Sequence, residues 1–290
     1  MTMHIPDQTG RTAIVTGGSS GIGKATAAAL AANGARVILA VRDQARGRAA
    51  AAEIGPHAES RPLDLGSLDS VRDFAAAVDG PIDYLINNAG FMTATRRLTT
   101  DGFESQFGVN HLGHFALTNR LLARITGRVV TVSSRNHRTP IDFDDLRWER
   151  QPYRPFDAYR RTKLANLLFT RELQRRLTAA GSPVLATAAD PGWAATGFTM
   201  TTGRPVLDRA LAAGTRLLAQ SAEDGARPTL LATLGDVPGA SFSGPGRFGV
   251  RGPATLEKPS RDALDDDAAK RLWEVSEALT HTTFSLDSAG

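Results

Sequence analysis

The chain has 290 residues and contains no cysteine, which excludes disulfide bonds, thiolate nucleophiles and Cys-ligated metal sites. Hydrophobic residues make up 41% and charged residues 22%, a balance typical of a globular protein with one large domain or two small ones. The net charge of +4 comes from arginines scattered among acids, as in Arg171-Glu172, so nucleic-acid binding is not favoured.

The first ten residues are polar, and the sequence contains no apolar run long enough to span a bilayer. Nothing in the cysteine content points to an oxidising compartment. We therefore expect a cytoplasmic protein without a membrane anchor.

Short β-branched runs alternate with stretches rich in Ala and Leu over the first 190 residues. The predicted strands cover residues 12–16, 35–41, 60–63, 82–87, 128–133 and 184–188. The predicted helices between them cover residues 24–33, 44–54, 69–78, 103–125 and 157–180, and a polar loop is expected over 136–156. Since apolar strands alternate with helices, the pattern predicts an α/β fold with a single doubly wound parallel sheet and helices on both faces.

The pattern loosens beyond Pro191. Residues 193–220 mix Gly, Thr and Ala, and we interpret them as a substrate-side lid, with ordinary core packing as the alternative. A helix is predicted over 222–234, a turn at Ser243-Gly244-Pro245-Gly246 beside a short last strand, and an amphipathic helix over 263–279. Without repeats or a linker, residues 1–290 are predicted to form one domain.

A glycine-rich turn joins the first strand to the first helix, with the sequence Thr16-Gly17-Gly18-Ser19-Ser20-Gly21-Ile22-Gly23. Glycines allow a sharp turn and a close approach to a pyrophosphate, and the helix N-terminus adds N–H donors and positive dipole. The spacing is G-x-x-x-G-x-G, and in this position it predicts dinucleotide binding.

The end of the second strand bears on the choice of cofactor. Val41 is followed by Arg42 and Asp43. An arginine there suits the 2′-phosphate of NADP(H), whereas an acid suits the ribose hydroxyls of NAD(H). We favour NADP(H), with Arg42 facing the site. The alternative is that Arg42 is solvated and Asp43 recognises the ribose hydroxyls of NAD(H).

Tyr159 and Lys163 are four residues apart on a predicted helix, so their side chains share one face. An ammonium close to a phenol favours the phenolate, and we expect it to lower the pKa of Tyr159 and make the phenol a proton donor and acceptor. The pair alone carries little weight because such pairs are common on solvated helices. Its weight comes from the motifs elsewhere in the chain.

These motifs occur in the order found in the short-chain dehydrogenase/reductase superfamily, which the chain resembles. Besides the glycine turn and the Tyr-Lys pair they are Asp64-Leu65, Asn87-Asn88-Ala89-Gly90, Val109-Asn110, Val132-Ser133-Ser134 and Pro191-Gly192. A narrower similarity to the retinol dehydrogenase and protochlorophyllide-reductase-like branch lies in residues 108–115, 162–169 and 271–274.

The resemblance implies a Rossmann fold and a set of cofactor-binding residues for pyrophosphate, 2′-phosphate, adenine, ribose and nicotinamide. They are Gly17, Ser19, Ser20, Gly21, Ile22, Gly23, Arg42, Asp64, Leu65, Asn88, Ala89, Gly90, Tyr159, Lys163, Pro191, Gly192 and Thr196. One departure is Asp190, which precedes Pro191 where a neutral residue or His is frequent. It is either a plain strand-end residue or an added charge near the pocket.

The catalytic residues implied by the resemblance are Tyr159 as general acid/base, Lys163 as its electrostatic partner, Ser134 as a donor to the substrate oxygen and Asn110 as support for a water chain. The expected reaction is hydride transfer between NADP(H) and a small-molecule alcohol, aldehyde or ketone. The alternative is a non-catalytic NADP(H)-sensing protein on the same fold.

Other readings of the polar residues are weaker. His111 and His114 lie three apart without a third ligand nearby, so no metal site is predicted and packed or capping roles are favoured. Ser134 with His137 lacks a G-x-S-x-G elbow and does not suggest a hydrolase. The helices predicted over 103–125 and 157–180 offer surfaces for a possible homo-oligomer.

Overall fold

The computed structural model describes residues 4–192, 221–247 and 251–286. The described strands are β1 (Thr12–Thr16), β2 (Arg36–Val41), β3 (Ala58–Pro62), β4 (Ile82–Asn87), β5 (Ile125–Val132), β6 (Leu185–Ala189), β7 (Phe242–Arg247) and β8 (Arg251–Glu257). They form one sheet in the order β3-β2-β1-β4-β5-β6-β7-β8, in which only the β7–β8 pair is antiparallel. The predicted doubly wound α/β sheet is confirmed.

The described helices connect these strands. They are α1 (Gly21–Ala32), α2 (Gln44–Ile54), α3 (Leu68–Ala77), α4 (Ser105–Phe107), α5 (Gly113–Leu121), α6 (Pro155–Ala179), α7 (Ala222–Leu234) and α8 (Asp266–Thr280). None of them combines the length and the apolarity that crossing a bilayer demands. The 193–220 segment, predicted as a lid, and Thr196 within it lie outside the described residues.

The central strands are buried on both faces because helices cover each side of the sheet. Successive side chains of a strand point to opposite faces, so Ile14 packs with α3, α5, α6 and α8 whereas Ala13 and Val15 pack with α1, α2 and α7. Burying a side chain such as Ile14 or Val15 contributes roughly 1.5–3 kcal/mol. This two-sided burial explains why β1 reads in the sequence as a continuous apolar run.

The helix predicted over residues 103–125 is divided in the structure. A π-helical segment, Gly108–Leu112, separates α4 from α5, and the N–H of Gly113 bonds to the carbonyl of Gly108. A 3₁₀ turn, Leu122–Arg124, follows α5, and β5 already begins at Ile125. The continuous apolar pattern therefore hid a change of helix type, which places Asn110 on a distorted turn beside the sheet.

The turn predicted at residues 243–246 is wrong. These residues belong to β7, which pairs with β6 only at Phe242 and Ser243 and then continues against β8 alone. Pro245 therefore lies where β7 no longer has β6 beside it, and its missing N–H breaks no bond to that neighbour. Glycine and proline in the run concealed a strand that long-range pairing defines.

Candidate active site

The residues predicted to act together lie where the strands of the parallel sheet end. The glycine turn follows β1, the segment Asn88–Gly90 follows β4, Ser134 follows β5, and the segment 190–192 follows β6. Helix α6 brings Tyr159 and Lys163 to the same edge, since Lys163 Nζ donates to the carbonyl of Val132 at 3.1 Å. The carboxyl edge of such a sheet is where ligands bind in this architecture.

The glycine turn is shaped for an anion. Gly17 has a φ of +67°, a backbone conformation that residues other than glycine rarely adopt. A Cβ on Gly23 would lie 2.7 Å from the carbonyl oxygen of Gly17 and still closer to Asn88 Nδ2. Ser20, the N-cap of α1, makes no capping bond with its side chain and no acid lies in the first turn, so the first N–H groups remain for a ligand.

The turn after β2 distinguishes its two charged residues. The Asp43 carboxylate caps α2 by accepting a hydrogen bond from the N–H of Arg46 at 3.0 Å. Arg42 is exposed, and no hydrogen bond or ion pair to another described residue holds its guanidinium. The acid of this turn is therefore engaged in helix capping, while no described residue holds the guanidinium of Arg42.

The two residues predicted to contact adenine differ in setting. Asp64 is half-buried and its Oδ1 accepts from the N–H of Gly66 at 2.9 Å. Leu65 is buried in the core, where its backbone and side chain lie against Gly113 of α5. Both follow the carboxyl end of β3, the same edge of the sheet as the other site residues. Their contact with adenine stays a prediction.

Thr16 ties the segment after β4 to the glycine turn. Its Oγ1 accepts from the backbone N–H groups of Asn88 and Ala89, both at 2.9 Å, and Asn88 Nδ2 donates to its carbonyl at 2.8 Å. A Cβ on Gly90 would lie 3.3 Å from Asn110 Oδ1 and 3.7 Å from Lys163 Nζ. The small residues 88–90 thus form a floor between the turn and the candidate catalytic residues.

The side chain of Asn110 is fully engaged. Its Oδ1 accepts from the N–H of Phe91 at 3.0 Å, while Nδ2 donates to the carbonyl of Phe91 at 3.0 Å and to Thr162 Oγ1 at 3.2 Å. These bonds join the floor to α6 beside Lys163. The backbone carbonyl of Asn110 lies 3.2 Å from His114 Nδ1. The role expected of Asn110 in a water chain stays a prediction.

The two serines after β5 have different surroundings. Ser133 is buried and its hydroxyl donates to the carbonyl of Lys163 at 2.7 Å. Ser134 is half-buried, and its Oγ accepts from the N–H of Asn136 at 3.2 Å. A hydroxyl that accepts in this way retains its proton for donation. Ser134 is therefore the serine equipped to donate to a substrate.

The Tyr159–Lys163 pair has the predicted proximity, with Lys163 Nζ over the Tyr159 ring, 5.4 Å from its centroid. The predicted lowering of the Tyr159 pKa is wrong. Burial raises the pKa of Tyr159, and the negative charge of Asp190 raises it further. Burial also lowers the pKa of Lys163 to about 8, against the opposing effect of Asp190. The spacing predicts contact, but burial and the acid set the protonation.

Asp190 is the functional candidate that the sequence marked only as a departure. Its side chain is 3% exposed, and its carboxylate accepts from the N–H of Gly192 at 3.0 Å and lies 3.8 Å from Arg135 Nε. Burial raises the pKa of Asp190 to about 6. Arg135 also pairs with Glu257 of β8 at 2.8 Å. Asp190 therefore adds a buried acid that acts on Tyr159 and Lys163, in line with the second of the two alternatives.

The histidines are packed among other side chains. His111 Nε2 lies 2.9 Å from Ser276 Oγ on α8, and His114 Nε2 lies 2.9 Å from Thr16 Oγ1. His137 Nδ1 lies 2.6 Å from the carbonyl of Ser134. In the part of the chain that the structure describes, no group of three His, Cys, Asp or Glu residues has metal-binding geometry.

Comparisons with known proteins agree with this architecture. The family model described as short chain dehydrogenase matches residues 11–206. Human retinol dehydrogenase 13 is 43% identical over 93% of this chain and 84% of its own length. A solved structure from Mycobacterium paratuberculosis is 50% identical with a TM-score of 0.85 and covers 97% of each chain. An NAD(P)-dependent gluconate 5-dehydrogenase from Beutenbergia cavernae, with bound NADP, is 29% identical with a TM-score of 0.59 over 79% of this chain and 91% of that chain.

Proposed function

The chain belongs to the short-chain dehydrogenase/reductase family and is an oxidoreductase, and we propose that it uses NADP(H) to interconvert an alcohol and an aldehyde or ketone, with Tyr159 as general acid/base. The observation that supports the proposal is that Lys163 Nζ, which lies over the Tyr159 ring, donates to the carbonyl of Val132, two residues before Ser134, at the edge where the glycine turn lies. A protein that only sensed the dinucleotide would need the turn and the floor but not the side chains of Ser134, Tyr159 and Lys163.

The glycine turn and the floor fit a dinucleotide. The absence of side chains at Gly17 and Gly23 leaves room for a pyrophosphate against the uncapped N-terminus of α1. Gly90 leaves similar room beside Lys163 Nζ, an ammonium suited to ribose hydroxyls. When bound, NADPH supplies the hydride, and the protein supplies position and charge.

The protein residues would control the proton. Ser134 would donate a hydrogen bond to the substrate oxygen and polarise the carbonyl, and the Tyr159 hydroxyl would donate its proton as negative charge develops there. Lys163, whose ammonium lies over the Tyr159 ring, would stabilise the phenolate left behind. Asn110 would keep the floor and α6 in register through its bonds to Phe91 and Thr162.

The raised pKa of Tyr159 supports the reductive direction. Burial and Asp190 keep the phenol protonated at neutral pH, so the resting side chain is an acid. An acid in that position serves the reduction of a carbonyl, whereas oxidation of an alcohol requires the phenolate.

The substrate test is NADPH oxidation, followed at 340 nm, against aldehydes and ketones of increasing apolar length. Retinal belongs in the panel because one relative is a retinol dehydrogenase. We expect Tyr159→Phe to lower turnover by about 10²–10⁴-fold, the usual contribution of a general acid, while NADPH binding stays nearly unchanged. Tyr153→Phe is the matched control, since Tyr153 is also half-buried but its hydroxyl bonds to Glu104 and Gln106. Retained turnover in Tyr159→Phe would refute the assignment.

The preference for NADP(H) has a separate test. The exposed Arg42 guanidinium and the engagement of Asp43 in capping support recognition of the 2′-phosphate by Arg42. Arg42→Ala should raise the Kd for NADPH about tenfold, a loss of about 1.4 kcal/mol, and leave the Kd for NADH unchanged. Arg48→Ala, an exposed arginine within α2, should change neither. Equal losses for both cofactors in Arg42→Ala would contradict the preference.

A further inference from the structure

His114 is a buried side chain of α5 that the proposed mechanism leaves without a task. Its imidazole is 1% exposed and lies between two parts of the candidate site. Nε2 is 2.9 Å from Thr16 Oγ1 at the end of β1, and Nδ1 is 3.2 Å from the backbone carbonyl of Asn110 in the π-helical segment. It therefore joins the residue that organises the cofactor floor to the turn that carries Asn110.

The hydrogen-bond partners fix the position of the His114 proton. A carbonyl oxygen only accepts, so Nδ1 must carry the proton that is donated to Asn110. Burial lowers the pKa of His114 to about 4, and the charge of Lys163 lowers it in the same direction. The ring is therefore neutral at pH 7, and Nε2 presents a lone pair to Thr16.

The surroundings of Thr16 require the same arrangement. Its Oγ1 already accepts from the N–H groups of Asn88 and Ala89, which occupy both lone pairs. Its own proton must then be donated, and His114 Nε2 at 2.9 Å is a better placed acceptor than the carbonyl of Ile86 at 3.4 Å. One chain of bonds thus runs from the floor through Thr16 and His114 to the carbonyl of Asn110.

We propose that His114 is a positioning residue that locks the cofactor floor to the turn carrying Asn110 through a neutral, Nδ1-protonated imidazole. The inference rests on the proposed function, because the floor and Asn110 are the elements through which NADP(H) and the catalytic helix α6 are placed. We call the two contacts of His114, with Thr16 and with the carbonyl of Asn110, the bridge. Its contact with Thr16 governs the position of the floor and hence the affinity for the cofactor. The Asn110 side governs the contact of that residue with Phe91 and Thr162, next to Lys163, and hence turnover.

His111 provides a matched control on the same stretch of helix. It is as buried as His114, but its Nε2 lies beside Ser276 of α8 and its ring packs against Phe107 and Phe169. None of these contacts is with Thr16 or with the floor residues 88–90. His111→Leu should therefore lower the melting temperature without changing the NADPH Kd or kcat by more than about twofold.

Three substitutions at His114 separate the two halves of the bridge. Asn retains a donor for the carbonyl four residues earlier, as Asn33 and Asn119 donate to Ala29 and Phe115 in this chain, but cannot reach Thr16. Gln places an acceptor near the former Nε2, and Leu removes both bonds. We expect His114→Asn to raise the NADPH Kd about tenfold with little loss of kcat. His114→Gln should lower kcat about tenfold with little change in Kd, and His114→Leu should do both.

Binding is measured by NADPH fluorescence titration, and turnover with the best carbonyl substrate of the panel. If His114→Leu matches His111→Leu, losing melting temperature with Kd and kcat unchanged, the bridge has only a structural role and the proposal is overturned. A wild-type protein that binds no NADPH would instead contradict the proposed function.

A second measurement tests the bridge without cofactor or substrate. ¹⁵N NMR of the imidazole nitrogens should show His114 as the neutral Nδ1–H tautomer, unchanged between pH 5.5 and 8. An Nε2–H tautomer, or protonation within that range, would overturn the proposal whatever the enzyme assays give.

Discussion

Asp190 gives the most direct quantitative test of the electrostatics at the site. Asp190→Asn removes the charge but retains a side-chain oxygen that can accept from the N–H of Gly192. Burial is the main reason that the Asp190 pKa is raised from 3.8 to about 6, and the nearby charge of Glu257 adds to it. Hydrogen bonds from Gly192 and the Arg135 backbone act in the opposite direction.

The sign of the effect follows from the proton balance. Between pH 3.8 and about 6 the folded protein keeps a proton that the unfolded chain has lost, so the free energy of unfolding falls as pH rises. Above pH 6 the full cost of the buried charge is present, about 3 kcal/mol at about 1.4 kcal/mol per pKa unit. Asp190→Asn should therefore raise stability by about 3 kcal/mol at pH 8 and by only about 1 kcal/mol at pH 4.5. The variant also loses the effect of Asp190 that favours the Lys163 ammonium, so these are upper values.

Urea unfolding of wild type and variant at both pH values measures the difference. Asp79→Asn is the control, because Asp79 is exposed and should give the same small change at either pH. If Asp190→Asn is no more stable than wild type at pH 8, or gains equally at both pH values, the carboxylate is not a buried charge that costs stability and the reasoning is wrong.

Three other predictions concern the site and the core. The kcat/KM for carbonyl reduction should fall above pH 8, because the Lys163 ammonium, with a pKa of about 8, then loses its proton; a rate that stays constant to pH 10 would contradict this. Gly23→Ala should raise the NADPH Kd at least about tenfold by calorimetry, since the new Cβ would collide with Asn88 and Gly17. Trp273→Ala should cost about 3–5 kcal/mol of unfolding free energy but leave the NADPH Kd unchanged, and an altered Kd would show that the core and the site are coupled.

The strands near the site could be predicted because burial on both faces of the sheet selects continuous apolar runs in their sequences. β1 and β4 occupy the predicted residues 12–16 and 82–87, where apolar runs are buried on both faces. The bounds of α2 were equally clear, since Asp43 caps its start and Gly55 ends it. Local chemistry is sufficient wherever neighbours along the chain determine the structure.

Elements that form through pairing between separate segments could not be predicted from local sequence patterns. β7 and β8 exist because residues 242–247 and 251–257 pair with each other, and no local pattern reveals that partner. Within the π-helical segment, the side chain of Asn110 bonds to Phe91 and Thr162, which lie 19 and 52 residues away. The sequence pattern indicates a helix there but does not reveal the change to π-helical geometry.

The site shows the same division between residue identity and environment. The sequence identifies Tyr159 and Lys163 by spacing, and the structure confirms that they are in contact. The direction of the Tyr159 pKa could not be read from that spacing, because it depends on burial and on Asp190, 31 residues further along the chain. The contacts of His114 could not be predicted for a similar reason, because Thr16 is 98 residues away in the chain and approaches His114 only in the folded protein.

Asp190 and Lys163 are both buried, yet both carry charge at neutral pH. Burial alone would favour a neutral lysine and a neutral aspartic acid, yet with pKa values of about 8 and 6 both groups are mainly ionised at pH 7. Asp190 supports the ammonium of Lys163 while it disfavours ionisation of Tyr159, so one acid keeps the cation charged and the phenol protonated. Under the proposed function this combination of a protonated phenol and a nearby ammonium would suit the reduction of a carbonyl, because the charge that would stabilise the phenolate is present before the proton leaves.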